Sequence, residues 1–188
     1  MAEFSYRTRG DSPWQGKAKV YLAAHPEDRV LLEKIAKEIL SYQNCAVFFD
    51  SDPEGALDVE EHLAKLHEMN LVVIPVTTAF LTKESRALSL EFQYARKHHI
   101  PILPLMQEEG LSELFNRVCG ELQYLDRHAS DATAISYEEK LATFLSSVLV
   151  GDELAKKVRA AFDAYIFSEL SQKGQKVCPR IDAADPRQ

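Results

Sequence analysis

Short apolar runs alternate along this chain with longer stretches whose apolar residues recur at helical spacing. Residues 17–24 (KAKVYLAA) read as a buried strand. His25-Pro26-Glu27-Asp28 then opens a helix, with proline in its first turn and acids facing the helix dipole, and Leu31, Ile35, Ile39 and Tyr42 continue it. Residues 44–49 (NCAVFF) form a second strand, closed by Asp50-Ser51-Asp52-Pro53-Glu54-Gly55, a loop made of turn-forming residues. Asp58 caps the next helix, with Glu61 in the capping-box position and Val59, Leu63 and Leu66 on one face.

The same alternation runs on through a strand at 71–76, a helix at 85–98 and a strand at 100–106 that contains Pro101 and Pro104. Each proline removes a ladder donor, which weakens the centre of that last strand. A short helix at 111–118, a weak strand at 122–125 and a helix at 137–150 complete the series. This order predicts an α/β fold of flavodoxin-like, three-layer type, with about five parallel strands and helices on both faces. Residues 1–16 are expected to be a flexible arm, with Trp14 docked on the domain that spans 17–150. Leu154, Val158, Phe162, Tyr165 and Ile166 share a stripe, so residues 151–167 read as one more amphipathic helix, and 168–188 as a disordered tail.

Composition narrows the function classes. The net charge of −7 leaves no basic field for a phosphate backbone and no basic patch stands out, so nucleic acid is not expected as a partner. Three cysteines, at 45, 119 and 178, are odd in number and widely spaced, which fits a reducing, cytoplasmic compartment. No apolar run approaches the roughly 20 residues of a membrane span, and the N-terminus lacks the apolar core of a signal peptide.

An open parallel sheet binds its ligands beyond the carboxyl ends of the strands. The candidate positions are therefore Ala24-His25, Asp50-Ser51-Asp52, Thr77-Thr78 and Gln107-Glu108. The glycine signatures of dinucleotide folds, P-loops and α/β-hydrolases are absent, and a receiver domain would need an aspartate where Val76-Thr77-Thr78 stands. The histidines show no i, i+4 ligand pair, so no metal is expected and they read as surface residues. Glu91 breaks the pattern of its helix, because Ala87, Leu88 and Ala95 flank it at helical spacing. It is either a partly exposed residue at the stripe's edge, reaching solvent or Arg96, or a carboxylate held at the crevice for work.

At residues 17–150 the order of elements resembles a TIR (Toll/interleukin-1 receptor) domain of bacterial type. TTAFLTKESRALSLEFQYA followed by IPILPL resembles that family's third helix and fourth strand. The resemblance implies that Glu91 is the glutamate that cleaves the nicotinamide–ribose bond of NAD+, with Ser85 the serine six residues before it. It implies a substrate pocket formed with Ala24, His25, Asp50 and Ser51, and a loop, Asp50 to Leu57, whose Pro53, Glu54, Gly55 and Leu57 mediate self-association. NAD+ is then substrate, no further cofactor is needed, and the active form is a homo-oligomer. Phe162 to Phe167 (FDAYIF) resembles the family's first box, as at the start of a second repeat.

Two departures bear on activity. The first box has alanine where the family has serine, and Ala87-Leu88 stand where many members have Trp-Cys. Two functions therefore remain: an NAD+ glycohydrolase or cyclase acting in signalling or defence through Glu91, and a non-catalytic module that assembles with other TIR domains or recognises a nucleotide.

Overall fold

The computed structural model describes residues 4–127 and 137–149. The chain divides into two units, Met1–Val150 and Gly151–Gln188, and the helix expected at 151–167 and the tail beyond it lie outside the described residues. In the first unit the strands are β1 (Phe4–Arg7), β2 (Lys19–Leu22), β3 (Ala46–Asp50), β4 (Leu71–Val76), β5 (Ile102–Met106) and β6 (Leu125–Asp126). The helices are α1 (Arg29–Tyr42), α2 (Val59–His67), α3 (Thr78–Thr82), α4 (Gln93–Lys97), α5 (Ser112–Cys119) and α6 (Tyr137–Leu149), and a π-helical segment, Ala87–Phe92, runs directly into α4. The strands form one sheet in the order β1-β3-β2-β4-β5-β6.

Side chains alternate across a pleated strand, so each strand feeds two cores. Tyr21, Phe48, Val72 and Ile74 point to the layer of α2, α3, α4 and α5, where Leu66, Phe80, Ala95 and Phe115 receive them. Val20, Leu22, Val47, Phe49, Val73 and Leu105 point the other way, to Leu32, Ile35 and Ile39 of α1 and Leu141 and Leu145 of α6. The result is a three-layer α/β arrangement in which β2, β3, β4, β5 and β6 are mutually parallel.

The sheet is nevertheless mixed, because part of the expected flexible arm, Phe4–Arg7, is a strand. Phe4–Arg7 pairs antiparallel with β3, Phe4 opposite Asp50 and Arg7 opposite Val47. Too short to declare itself by alternation, FSYR gains its order from tertiary partners. Phe4 packs on Tyr21 at 4.8 Å between ring centroids, and the Arg7 guanidinium bonds Glu33 of α1 and lies over Phe49. Trp14 does dock: it meets Phe48 edge-on at 5.9 Å, with the Lys19 ammonium 4.5 Å from its ring.

Prolines in the sheet are placed where they cost least. Pro75 of β4 lies beyond the residues that β2 pairs, which end at Val73, and Pro104 of β5 comes before β6 begins to pair at Leu105. Each sits at a position with one paired neighbour rather than two, so one missing N–H breaks no second ladder. Among the described residues no helix is long and apolar enough to cross a membrane.

Candidate active site

Because β2 is flanked by β3 on one side and β4 on the other, the chain leaves it in opposite directions, and a crevice opens beyond its carboxyl end. Tyr21 is the penultimate residue of β2 and Asp50 the last of β3, and both face the layer of α2 and α4. His62 comes from α2. Glu91 comes from the π-helical segment, where each turn holds one extra residue; such turns recur at functional sites.

These side chains meet. Tyr21 donates its hydroxyl to Glu91 Oε2 at 2.5 Å, and His62 Nε2 lies 2.7 Å from the same oxygen. An ionised carboxylate only accepts, so with Glu91 charged the His62 ring donates through Nε2. Glu91 is 3% exposed and His62 fully enclosed. The Tyr21 phenol is pushed well above its ordinary value, first by burial and then by the Glu91 charge, which keeps it a donor. No described residue donates to Glu91 Oε1, and His62 Nδ1 is a fully buried atom with no partner.

Three sequence expectations are corrected here. Glu91 is not at an exposed edge and does not reach Arg96, whose guanidinium bonds the Cys119 carbonyl at 2.7 Å. The histidines are not all on the surface: His62 and His25 are buried. The buried stripe of α2 and the turn after it is His62, Leu66 and Met69, while Val59 is 46% exposed. That i, i+4, i+7 spacing was available in the sequence, and His62 was missed because a histidine was not counted as a core residue.

Around the cluster the remaining expected residues fall into two zones. An inner cavity of about 20 Å³ is lined by Tyr21, Ala24, His25, Asp50, Arg86 and Glu91, among others. An outer cleft of about 470 Å³ is lined by His25, Pro53, Glu54, Lys83, Ser85 and Arg86, among others. Ser85 is thus on the outer cleft and not with Glu91, and its hydroxyl accepts from the Leu88 backbone N–H at 3.4 Å. Ser51, Gly55 and Leu57 line neither cavity; the Ser51 carbonyl accepts from Arg29 at 3.2 Å.

Arg86, which the sequence did not single out, lines both zones. It bonds Asp50 Oδ2 at 3.4 Å, the Asp52 carbonyl at 3.2 Å and the Gly55 carbonyl. Nearby, Lys83 bridges to Glu27 and holds that carboxyl below its ordinary range, while burial raises the carboxyl of Asp28, opposed by the Thr77 hydroxyl bonded to it at 2.5 Å.

Asp50, His62 and Glu91 each bring one metal-capable atom within 4.8 Å of the others. Two features fit that trio to hydrogen bonding better than to a cation. The Arg86 guanidinium already neutralises Asp50, and His62 Nδ1 lacks the acceptor that a metal-bound imidazole ordinarily has for its second nitrogen.

No family model matches this chain, and no curated protein matches it either. What the site can do follows from its own side chains. A buried carboxylate with one oxygen held by two donors, on the wall of a small inner cavity that shares His25, Pro53 and Arg86 with the larger outer cleft, can stabilise positive charge on a group that reaches that cavity.

Proposed function

We propose that this chain is a TIR-type domain of flavodoxin-like fold that hydrolyses the nicotinamide–ribosyl bond of NAD+ or a closely related N-ribosyl nucleotide. The observation that carries the proposal is Glu91: a carboxylate buried at the strand ends, fixed by Tyr21 and His62, on the wall of a cavity. Cleavage of an N-ribosyl bond passes through a state with positive charge spread over C1′ and the ring oxygen, and a fixed anion lowers that barrier. The C1′–N bond breaks, nicotinamide leaves with the bonding pair, and water oxygen bonds C1′ and loses a proton. Attack by a ring nitrogen of the adenine instead gives a cyclic product.

In this reading the outer cleft, with Lys83, Arg86, His25 and Ser85 on its walls, receives the nucleotide. An inner cavity of about 20 Å³ has room for little more than one water and not for a pyridine ring, so catalysis requires the Arg86-bonded loop to move. Assembly through Pro53, Glu54, Gly55 and Leu57 is a means of moving it.

The test is nicotinamide release from NAD+ at high protein concentration, followed by chromatography. Glu91→Gln keeps the shape and loses the charge, and it lowers release by about 10²–10³-fold. Equal release by both proteins sinks the proposal.

The closed inner cavity favours a second reading, a non-catalytic module for homotypic assembly. Leu57→Asp then disrupts function where Glu91→Gln does not, and light scattering over a concentration series shows self-association. A strict monomer at all concentrations rules it out.

A further inference from the structure

Within the NAD+-cleaving reading, on which this step rests, we infer that Tyr21 and His62 are positioning residues that hold Glu91 by Oε2 alone and so assign the chemistry to Oε1. Both donors converge on one oxygen, from β2 on one side and α2 on the other. Turning the carboxylate about its last torsion would break two bonds at once. The other oxygen, Oε1, has no donor among the described residues, and Glu91 lines the inner cavity.

His62 is the telling member of the pair. Its Nδ1 is enclosed without a partner, and an unsatisfied buried polar atom lowers stability. It occupies the same buried stripe as Leu66 of α2 and Met69 of the turn after it, where leucine would pack with no orphaned atom. A histidine there leaves one ring nitrogen unsatisfied, and what it adds in return is the bond to Glu91. Phe4 closes the far side of both donors, 4.8 Å from the Tyr21 ring and edge-on to His62 at 5.2 Å, so neither ring is free to swing away. Asp50 and Arg86 complete the charged surroundings: they pair with one another rather than with Glu91.

A purely structural role and a positioning role separate in a set of three variants: Tyr21→Phe, His62→Leu and His62→Gln. Each is measured for kcat and KM of nicotinamide release, for thermal unfolding, and for the infrared carboxylate stretch of Glu91, taken as the difference from Glu91→Gln. The expected result is a fall in kcat of about 10- to 100-fold in Tyr21→Phe and His62→Leu, with KM within about twofold. His62→Leu remains folded, because leucine fills the same buried position with no orphaned ring nitrogen. His62→Gln, whose amide N–H can replace Nε2–H, recovers most of kcat. The Glu91 band shifts in the first two variants and returns towards its parent position in the third.

A folded His62→Leu with parental kcat and an unmoved band overturns the inference. If the parent protein releases no nicotinamide, the proposed function fails, yet the infrared band still decides whether the two donors hold Glu91. Should Tyr21→Phe fail to fold, the two His62 variants carry the comparison alone.

Discussion

The Arg86 guanidinium lies 3.4 Å from Asp50 Oδ2, and through its bonds to the carbonyls of Asp52 and Gly55 it fastens the loop after β3 to the start of the π-helical segment. Asp50 is 8% exposed and spends its other oxygen on the Asp52 backbone N–H at 3.0 Å. Loop and charge are therefore held by one side chain, which lines both the outer cleft and the inner cavity.

Arg86→Met keeps the length of the stem and removes all three bonds. Stability is expected to fall by about 1.5–3 kcal/mol, the range for a hydrogen bond to a partly buried charge. Hydrogen exchange at residues 51–57 should rise well before global unfolding, because the loop has lost its clasp. A loop that exchanges as slowly as in the parent protein would show that Arg86 does not hold it.

Replacing Glu91 by leucine separates the two consequences of its burial. Leucine strands the Tyr21 hydroxyl and the His62 Nε2–H in an almost fully buried site, about 1–3 kcal/mol for each donor, so roughly 2–6 kcal/mol in all. Glutamine still offers an oxygen to both donors and should cost about 1 kcal/mol. Urea unfolding of the two variants side by side checks this, and equal loss in both would mean that the donors find other partners.

The fold was legible where burial leaves a periodic trace. β2, β3, β4 and β5 and the helices α1, α2, α5 and α6 follow from apolar spacing, because each buries one face in the core; the last strand is Leu125–Asp126, shifted from the expected 122–125 because two residues leave no alternation to read. The first strand, Phe4–Arg7, left no such trace: its order comes from pairing with β3 and from the contacts of Phe4 and Arg7 with residues far along the chain. The site was legible in part. Glu91 announced itself as an acid in an apolar stripe, and Asp50 and His25 by their place after strands. Tyr21 and His62 did not, since an aromatic in a strand and a histidine in an amphipathic helix read as packing until the geometry brings both to one oxygen. The π-helical turn was invisible for a related reason, because one inserted residue shifts the helical period too little to show in six residues.

Phe4 links that unforeseen strand to the site. Phe4→Ala removes the ring that covers Tyr21 and His62, and since the residue is half-buried the expected loss is about 2 kcal/mol, roughly half that of a fully enclosed phenylalanine. If nicotinamide release occurs, its kcat should fall by more than the unfolded fraction accounts for. A fall that tracks unfolding alone would confine Phe4 to packing.

The alkaline side of the stability curve tests the core on both faces of the sheet. Burial pushes the Cys45 thiol from 9.0 to about 12 and the Cys119 thiol from 9.0 to about 11, and Tyr137 from 10.0 to about 12. Each folded-state value is raised, so each group's contribution is complete below its unfolded value and drains away as pH climbs towards the folded value. Between pH 9 and 10 only the unfolded chain sheds the two thiol protons, and stability should drop by up to about 2.7 kcal/mol per pH unit, 1.36 for each. Above pH 10 Tyr137 and Tyr21 join them and the slope steepens. Urea midpoints at half-unit steps from pH 8 to 10.5 give the curve. Cys45→Ala should lose about half of the slope between pH 9 and 10 while changing the plateau below pH 8.5 only slightly; an unchanged slope would mean that Cys45 titrates in the folded protein as it does in the unfolded chain.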